Sequence, residues 1–251
     1  MEYQSGYKIR NSKWNYGGPN WKLSRSKIDL FNECPKCFYL DNKLGIKRPS
    51  MPSFNLNSAV DALLKKEFDK YRSEKKPHPL MQQYKIDAIP FYHKDIDVWR
   101  ENFVGMQYFD EQLNITISGA IDDVWINPKG ELHIVDYKST SKDDEVTLDD
   151  KWKEGYKRQM EVYQWLMRKK GFEVSEIGYF VYANGLKDRN QFDAKLEFEM
   201  TILDYAGNPD WVEPTIYRIK EVLDSDVIPE SGSQCEHCAS FSARIRAEQD
   251  N

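Results

Sequence analysis

The chain has 251 residues and a mass of 29.6 kDa, a length that suits one large domain or two small ones. Its net charge of −5 argues against a general nucleic-acid coat protein, and its 14% of aromatic residues argues against disorder. Because no uncharged apolar run reaches the ~18 residues of a membrane helix, we expect a globular cytoplasmic protein with no membrane partner.

The first 22 residues form a predicted irregular segment in which cations alternate with aromatic rings. Residues 1–50 hold ten Lys and Arg against four Asp and Glu, although the whole chain is acidic. Cations that contact phosphates and flat rings that stack on bases suit a single-stranded nucleic acid. A solvated segment with aromatic residues in the core would show the same pattern. The candidate nucleic-acid-binding side chains are Lys8, Arg10, Lys13, Trp14, Trp21, Lys22 and Arg25.

Two helices are predicted in the first third of the chain. One begins at an N-cap serine, Ser24 or Ser26, and continues to about Leu40. A loop rich in proline and serine separates it from the second helix, at residues 58–72. The apolar stripe of this second helix consists of Val60, Leu63, Leu64 and Phe68.

The most informative segment is a predicted β-hairpin with strands at 113–126 and 131–138. A two-residue loop would direct Asp122 and Asp136 to opposite faces of the hairpin. The three-residue loop Pro128-Lys129-Gly130 instead suits a type I turn with a left-handed glycine. This second register, which the proline and the glycine favour, places the two aspartates directly opposite each other.

Two opposed carboxylates, with Cβ atoms about 4.5–5.5 Å apart, repel each other unless a cation or a proton lies between them. Mg²⁺ or Mn²⁺ suits such oxygen ligands, and the carbonyl oxygen of Val135 is a further candidate ligand. Lys138 shares a face with Asp136, where its ammonium group can hold a water and stabilise phosphate charge. The pattern predicts a hydrolytic phosphodiesterase; an exposed hairpin with a surface Asp–Lys pair is the alternative.

The motif Gly119-Ala120-Ile121-Asp122, followed by Ile134-Val135-Asp136-Tyr137-Lys138, closely resembles the core of the PD-(D/E)XK nuclease superfamily. It is most similar to the RecB-like branch, which includes CRISPR-associated RecB-like exonucleases and the AddB-type nuclease domain. The resemblance covers about residues 23–240. It implies a restriction-endonuclease-like α/β domain over 23–251, with a central mixed sheet flanked by helices, after the segment 1–22. The implied activity is metal-dependent hydrolysis of DNA, as an exonuclease acting on single-stranded ends.

A helix predicted at 151–170 follows the hairpin after a charged linker. Gln159 and Tyr163 lie four residues apart on one face of it and resemble the Q-x-x-x-Y element of that branch. The resemblance implies that these two side chains orient the lysine, the metal ligands or the DNA strand. Tyr163 is equally well explained by core packing, since the predicted buried stripe consists of Trp152, Tyr156, Met160, Tyr163 and Met167.

The resemblance also implies a metal ligand, often a histidine, on the helix that precedes the hairpin. By spacing, Asp61 stands at that position, which is a departure from the family's pattern. Asp61 has a structural explanation as well, because Ser58-x-x-Asp61 matches a capping box. Glu67 is the rival ligand on the same helix.

Two strands near 176–183 and 192–201 and a helix at 210–224 complete the predicted elements. Beyond them, Cys235 and Cys238 form a C-x-x-C pair that matches an earlier pair, Cys34 and Cys37. Four thiolates suit Zn²⁺ or an iron–sulfur cluster, and a shared site must join distant parts of the chain. The RecB-like branch holds a [4Fe–4S] cluster, usually with one upstream and three downstream cysteines. The two-and-two division here keeps Zn²⁺, and unligated thiols, as alternatives.

Two rival functions fit the same sequence. A non-catalytic nuclease fold could bind DNA or protein as a subunit of a repair, CRISPR or phage complex, and the missing histidine and the acidic net charge favour this alternative. A zinc-stapled scaffold protein, in which the Asp-x-Lys pattern is a coincidence, is the second. Turnover that depends on a divalent ion separates the nuclease from both.

Overall fold

The computed structural model describes residues 9–49 and 55–250. Lys8, one of the candidate nucleic-acid-binding residues, lies outside this part of the chain. The chain forms two compact units. The first takes its described residues from Met1–Pro52, Phe109–Ile117 and Glu213–Asn251, and the second from Ser53–Tyr108 and Ser118–Val212. The predicted boundary at residue 22 stays a prediction.

The chain contains both helices and strands, as in the predicted α/β class. The helices are α1 (Arg25–Glu33), α2 (Pro35–Asn42), α3 (Asn55–Glu74), α4 (Pro79–Gln83), α5 (Ile96–Arg100), α6 (Glu154–Lys169), α7 (Val212–Asp224) and α8 (Glu236–Gln249). The strands are β1 (Leu23–Ser24), β2 (Ile89–Pro90), β3 (Met106–Asp110), β4 (Ile115–Gly119), β5 (Asp123–Ile126), β6 (Leu132–Thr140), β7 (Ile177–Gly185) and β8 (Phe198–Ala206). Short 3-10 helices cover Ser12–Trp14, Lys151–Lys153 and Pro209–Trp211.

The strands form one sheet of order β1-β4-β3 and a five-stranded sheet of order β2-β5-β6-β7-β8. In the larger sheet β6 and β7 run parallel, while the other neighbours are antiparallel. The predicted mixed sheet flanked by helices is therefore confirmed.

The predicted helix from Ser24 to Leu40 is wrong in one respect, because it is two helices, α1 and α2. Cys34 separates them with an extended backbone conformation (φ −161°), and Pro35 occupies the first turn of α2, where a missing N–H costs no helical hydrogen bond. The Sγ atom of Cys34 caps α2 by accepting the N–H of Cys37 at 3.4 Å.

Helix α3 extends beyond both predicted limits. Leu64 and Phe68 are buried as expected, but Leu63 is 63% exposed and lies on the solvent face. Because α3 already includes Asn55, Ser58 lies inside the helix and cannot be its N-cap. The alternative explanation of Asp61 as part of a capping box is therefore excluded.

The hairpin that joins β5 to β6 has the register favoured by the sequence. Asp123 pairs with Val135, and the ladder continues in steps to the Asn127 N–H, which donates to the Glu131 carbonyl at 3.1 Å. Gly130 has the left-handed conformation (φ +87°) that the three-residue loop requires. One difference is that the predicted strand 113–126 is divided into β4 and β5, so that Asp122 stands just before the ladder.

The predicted strand at 192–201 is shifted along the chain, because β8 covers Phe198–Ala206. Asp193 and Ala194 have positive φ values of 45° and 55°, which a strand ladder does not accommodate. Phe192 accordingly lies outside the sheet and is 74% exposed.

Helices α3 and α6 lie against opposite faces of β6. The ring of Phe68 on α3 lies 5.5 Å from the ring of Tyr137, whereas Gln159 on α6 contacts Asp136. Consecutive strand residues point to opposite faces, so the two helices cover both sides of this strand. The predicted buried stripe of α6 includes Met160, Tyr163 and Met167, but Trp152 precedes the helix and is 57% exposed.

Candidate active site

A cavity of about 280 Å³ opens beside the ends of α3 and β6, within the second unit. Its lining includes the predicted site residues Asp61, Asp122 and Lys138, together with the neighbouring Tyr156. Two helices and the hairpin thus bring together residues that are far apart in the sequence.

Asp136 is the most buried acidic group of the site, with no exposed surface. Gln159 donates from Nε2 to Oδ1 of Asp136 at 2.7 Å, and the Lys138 ammonium group forms an ion pair with Oδ2. The Lys138 Nζ atom also lies 4.6 Å from the centre of the Tyr156 ring, a cation–π contact that restricts the lysine. Asp136 and Lys138 therefore form a mostly buried ion pair with restrained side chains, and not a pair on the protein surface.

Asp122 lies at the start of β5 and is only partly exposed. Its Oδ2 accepts the N–H of Tyr137 at 3.1 Å, and its Oδ1 forms an ion pair with Lys65 at 3.0 Å. The bond to Tyr137 anchors Asp122 across the hairpin beside Asp136. The two aspartates are therefore adjacent, as the favoured register requires.

Asp61 reaches the same cavity from α3. Its Oδ2 lies 2.8 Å from Nζ of Lys65, so that one ammonium group contacts both Asp61 and Asp122. Burial and the charge of Asp122 raise the pKa of Asp61. The pKa of Lys65 is also raised, because the two carboxylates outweigh the effect of burial. Lys65 was missed by the sequence analysis; its position one turn after Asp61 is the signal that could have found it.

The rival ligand Glu67 has a different partner. Its Oε1 lies 2.9 Å from Nε2 of His78, and its side chain is 57% exposed. His78 in turn stacks on Phe68 at 4.3 Å between ring centres. Glu67 does not line the cavity that contains Asp61. Val135, the predicted carbonyl ligand, is fully buried in β6 between its partners Asp123 and Tyr179.

A network of buried charged side chains lies next to Asp122 and contacts its backbone. Asp123, with no exposed surface, accepts a hydrogen bond from the Tyr137 hydroxyl at 2.6 Å and pairs with Arg72 and Arg100. Arg100 also donates from Nε to the carbonyl oxygen of Asp122 at 2.9 Å. The guanidinium group thus fixes the backbone of Asp122 itself. The sequence analysis missed this network, although the adjacent Asp122 and Asp123 were a visible signal.

Tyr163 is buried and packs against Gly119, the glycine of the predicted Gly-x-x-Asp motif. A Cβ atom on Gly119 would lie 2.6 Å from Cε1 of Tyr163, too close for any ordinary contact. The Tyr163 hydroxyl lies 3.4 Å from Nε2 of Gln159. Gly119 therefore allows the tyrosine ring to reach the glutamine that binds Asp136.

We expect the substitution Gly119→Ala to lower the free energy of unfolding by about 1–3 kcal/mol, since the new methyl group displaces the buried Tyr163 ring. The measurement is urea denaturation. Gly185→Ala, at the end of β7, is the matched control, because the atoms nearest to its new methyl group would lie 3.6 Å away. Equal denaturation midpoints for the two variants would contradict this account of Gly119.

The donor set suits a hard divalent cation. Oxygens of Asp61 and Asp122 converge on one point, which the Lys65 ammonium group contacts, and Asp136 lies beside them. Carboxylate oxygens are the ligands that Mg²⁺ and Mn²⁺ prefer. The repulsion among these acidic groups is relieved by lysines in the structure, and a divalent ion would relieve it equally well.

The four cysteines converge within the first unit. Sγ of Cys37 lies 3.6 Å from Cys235 and 3.5 Å from Cys238, and Cys34 lies 3.8 Å from Cys238. All four sulfur atoms lie within 4.8 Å of one another, a grouping that could hold a metal ion.

Two backbone N–H groups and one arginine lie beside these sulfur atoms. Cys34 accepts N–H groups from Cys37 and from Gly232, at 3.4 and 3.3 Å. Although burial opposes ionisation, these donors lower the pKa of Cys34 to about 6. Arg48 lies 3.4 Å from Sγ of Cys235. These contacts favour the thiolate of Cys34, the form that binds metals, whereas burial raises the pKa values of Cys37 and Cys238.

The candidate nucleic-acid-binding side chains of the N-terminal segment divide into two groups. Arg10 is mostly buried and pairs with Asp41 at 2.9 Å, and Trp21 donates from Nε1 to Asn42 at 3.0 Å. Arg25 forms an ion pair within α1. Lys13 and Trp14 are exposed, and Lys22 is half-buried.

A family model described as the PD-(D/E)XK nuclease superfamily matches residues 22–242. This match covers both the cavity and the cysteine cluster. No curated protein matches the sequence. Within residues 9–49 and 55–250, no helix is both long and apolar enough to cross a membrane.

Proposed function

The chain belongs to the PD-(D/E)XK nuclease superfamily, and from this premise we propose that it is a metal-dependent deoxyribonuclease of the RecB-like branch. It hydrolyses phosphodiester bonds as an exonuclease acting on single-stranded ends. The observation that carries the proposal is that Asp122 and Lys138 line one cavity, while the buried Asp136 pairs with Lys138 behind it and is held by Gln159.

Asp61, Asp122, Asp136 and the carbonyl oxygen of Val135 would hold Mg²⁺ or Mn²⁺. When bound, such an ion lowers the pKa of a water molecule and neutralises charge on the phosphate. The Lys138 ammonium group would position the attacking water beside Asp136 and stabilise the charge that develops on the phosphate. Its pairing with Asp136 and its contact with Tyr156 supply the restraint that this role needs.

Gln159 and Tyr163 act as positioning residues. Gln159 binds Oδ1 of Asp136 and leaves Oδ2 to Lys138. Tyr163 packs on Gly119 and lies beside Gln159, which restricts the amide. This chain of contacts supports the role that the Q-x-x-x-Y resemblance implies.

The proposed substrate is DNA with single-stranded ends, and the exposed Lys13 and Trp14 and the half-buried Lys22 are its proposed contacts outside the cavity. An exonuclease degrades linear single strands but leaves circular single strands intact. Comparing linear and circular single-stranded DNA of equal length, in Mn²⁺, tests this part of the proposal. Degradation of the circle at the same rate would contradict the exonuclease assignment.

A second candidate function has one observation in its favour. Asp61 stands where the family often has a histidine, and Lys65 contacts the carboxylates that would bind the ion. These features support a non-catalytic subunit that binds DNA or protein in a repair, CRISPR or phage complex in the cytoplasm. Tight DNA binding without turnover in Mn²⁺ or Mg²⁺ would support this alternative over the nuclease.

For the cysteines we propose a single Zn²⁺ ion over the [4Fe–4S] cluster that the resemblance implies. A tetrahedral zinc site with Zn–S bonds of about 2.3 Å separates its sulfur atoms by about 3.8 Å. The sulfur distances of 3.5, 3.6 and 3.8 Å fit that spacing. In a [4Fe–4S] cluster each thiolate binds a different iron atom, which spreads the four sulfur atoms around a larger group.

Metal analysis of protein purified without oxygen is therefore expected to give about one zinc per chain and no iron, because four thiolates complete one tetrahedral site. The visible spectrum should lack iron–sulfur absorption. Brown protein that contains iron and acid-labile sulfide would contradict the zinc assignment and restore the cluster.

A further inference from the structure

Lys65 is a second lysine of the active site, and nothing in the Asp-x-Lys motif accounts for it. We propose that it is a movable cation: it neutralises Asp61 and Asp122 when no metal is bound, and contacts the substrate phosphate once a metal is bound. The inference rests on the proposed nuclease function and goes beyond it by assigning a substrate contact to α3.

The first step of the argument is the geometry of the Lys65 ammonium group. Nζ lies 2.8 Å from Oδ2 of Asp61 and 3.0 Å from Oδ1 of Asp122. An ordinary ion pair between residues four apart on a helix involves only that helix. Here the second carboxylate belongs to the hairpin, so the ammonium group stands at the point where the candidate ligands converge.

The second step is the charge of the site. Three carboxylates, of Asp61, Asp122 and Asp136, face the two ammonium groups of Lys65 and Lys138. The sum is one negative charge, which repels a phosphodiester. A divalent cation reverses the sign to one positive charge, and the carboxylates then no longer need Lys65 as their counter-charge.

The third step is the range over which the Lys65 ammonium group can move. Lys65 is only 19% exposed and its two partners line the cavity, so a released ammonium group stays at the edge of that space. Rotation about the bonds of its flexible four-carbon side chain lets the ammonium group change position while α3 stays in place. The new partner available there is the phosphate that the cavity receives.

The test compares Lys65→Met with the matched control Lys66→Met, the exposed neighbour on the same helix. Mn²⁺ binding is measured by calorimetry without DNA, and Asp122→Asn serves as the blank for other sites. Lys65→Met should bind Mn²⁺ about tenfold more tightly than the wild type, because a competing charge is gone. Lys66→Met should match the wild type.

The second readout is affinity for single-stranded DNA in Mn²⁺, measured in the Lys138→Met background so that cleavage is slow during the measurement. Adding Lys65→Met should weaken binding about tenfold, because a phosphate contact is lost. Lys65→Arg keeps the charge and should restore DNA binding. A gain in metal affinity together with a loss of DNA affinity is the signature of a movable cation.

Equal Mn²⁺ affinities for the wild type and Lys65→Met, or unchanged DNA affinity, would overturn the role of Lys65 alone. Equal Mn²⁺ binding by the wild type and Asp122→Asn would instead overturn the proposed metal site, and the inference with it. If Lys65→Met does not fold, Lys65→Arg carries the same test. An ion pair that stays fixed predicts wild-type Mn²⁺ affinity and wild-type DNA affinity for Lys65→Arg, because the charge is preserved. A rigid planar guanidinium group, by contrast, releases two carboxylates less readily, so the proposal expects weaker Mn²⁺ binding in Lys65→Arg.

Discussion

The variant Lys138→Met is expected to cleave DNA about 10²–10⁴-fold more slowly than the wild type, the loss typical of removing a group that transfers a proton or stabilises charge. Lys138 pairs with the buried Asp136 and is restrained by the Tyr156 ring. Of the two lysines described at this site, Lys138 alone pairs with Asp136, whereas Lys65 pairs with Asp61 and Asp122. The measurement is single-turnover cleavage of end-labelled DNA in Mn²⁺.

Lys129→Met is the control, since Lys129 is exposed in the turn of the same hairpin. It should cleave at the wild-type rate. Circular dichroism in Mn²⁺ establishes that both variants are folded. This control is needed because Lys138→Met leaves the buried Asp136 without its positive partner, which destabilises the fold. Wild-type cleavage by folded Lys138→Met would remove the lysine from the proposed mechanism.

The second large effect is expected from Cys37→Ser, which should lose the bound metal and unfold the cysteine-bearing part of the first unit. Cys37 is buried and its sulfur atom lies within 3.6 Å of two others. A structural zinc site contributes about 10–16 kcal/mol in small domains, as much as the whole net stability of about 5–15 kcal/mol. The measurements are metal content and thermal unfolding.

His237→Ala is the matched control for the cysteine variant. His237 lies in α8 between Cys235 and Cys238, but it is exposed and does not belong to the group of four sulfur atoms. It should retain the metal and the wild-type melting temperature. If Cys37→Ser also keeps its metal and melts with the control, the cysteines do not hold a structural ion.

Local chemistry in the sequence was enough to predict the centre of the site. The turn Pro128-Lys129-Gly130 admits a left-handed glycine, and this fixes the register that brings Asp122 beside Asp136. The resemblance to the Q-x-x-x-Y element singled out Gln159, which contacts Asp136 from α6. These features depend on residues close in the sequence, so patterns of period two and four find them.

The parts that escaped prediction depend on contacts between distant segments. Lys65 and Arg100 are ordinary charged residues until folding brings each of them to Asp122. Likewise, the shift of β8 follows from its pairing with β7 and from the positive φ values near Ala194, not from alternation alone. Periodicity reports which side chains face inward, but it does not report which partner they meet.

The central claim is that the cavity hydrolyses DNA with a divalent ion held by Asp122 and Asp136. The most direct measurement is cleavage of end-labelled single- and double-stranded DNA in Mn²⁺, Mg²⁺ or EDTA, by the wild type and by Asp136→Asn. The account predicts shortened products with either ion, and none in EDTA or with Asp136→Asn. Uncut DNA in every condition, from folded wild-type protein with its cysteine metal bound, would contradict it.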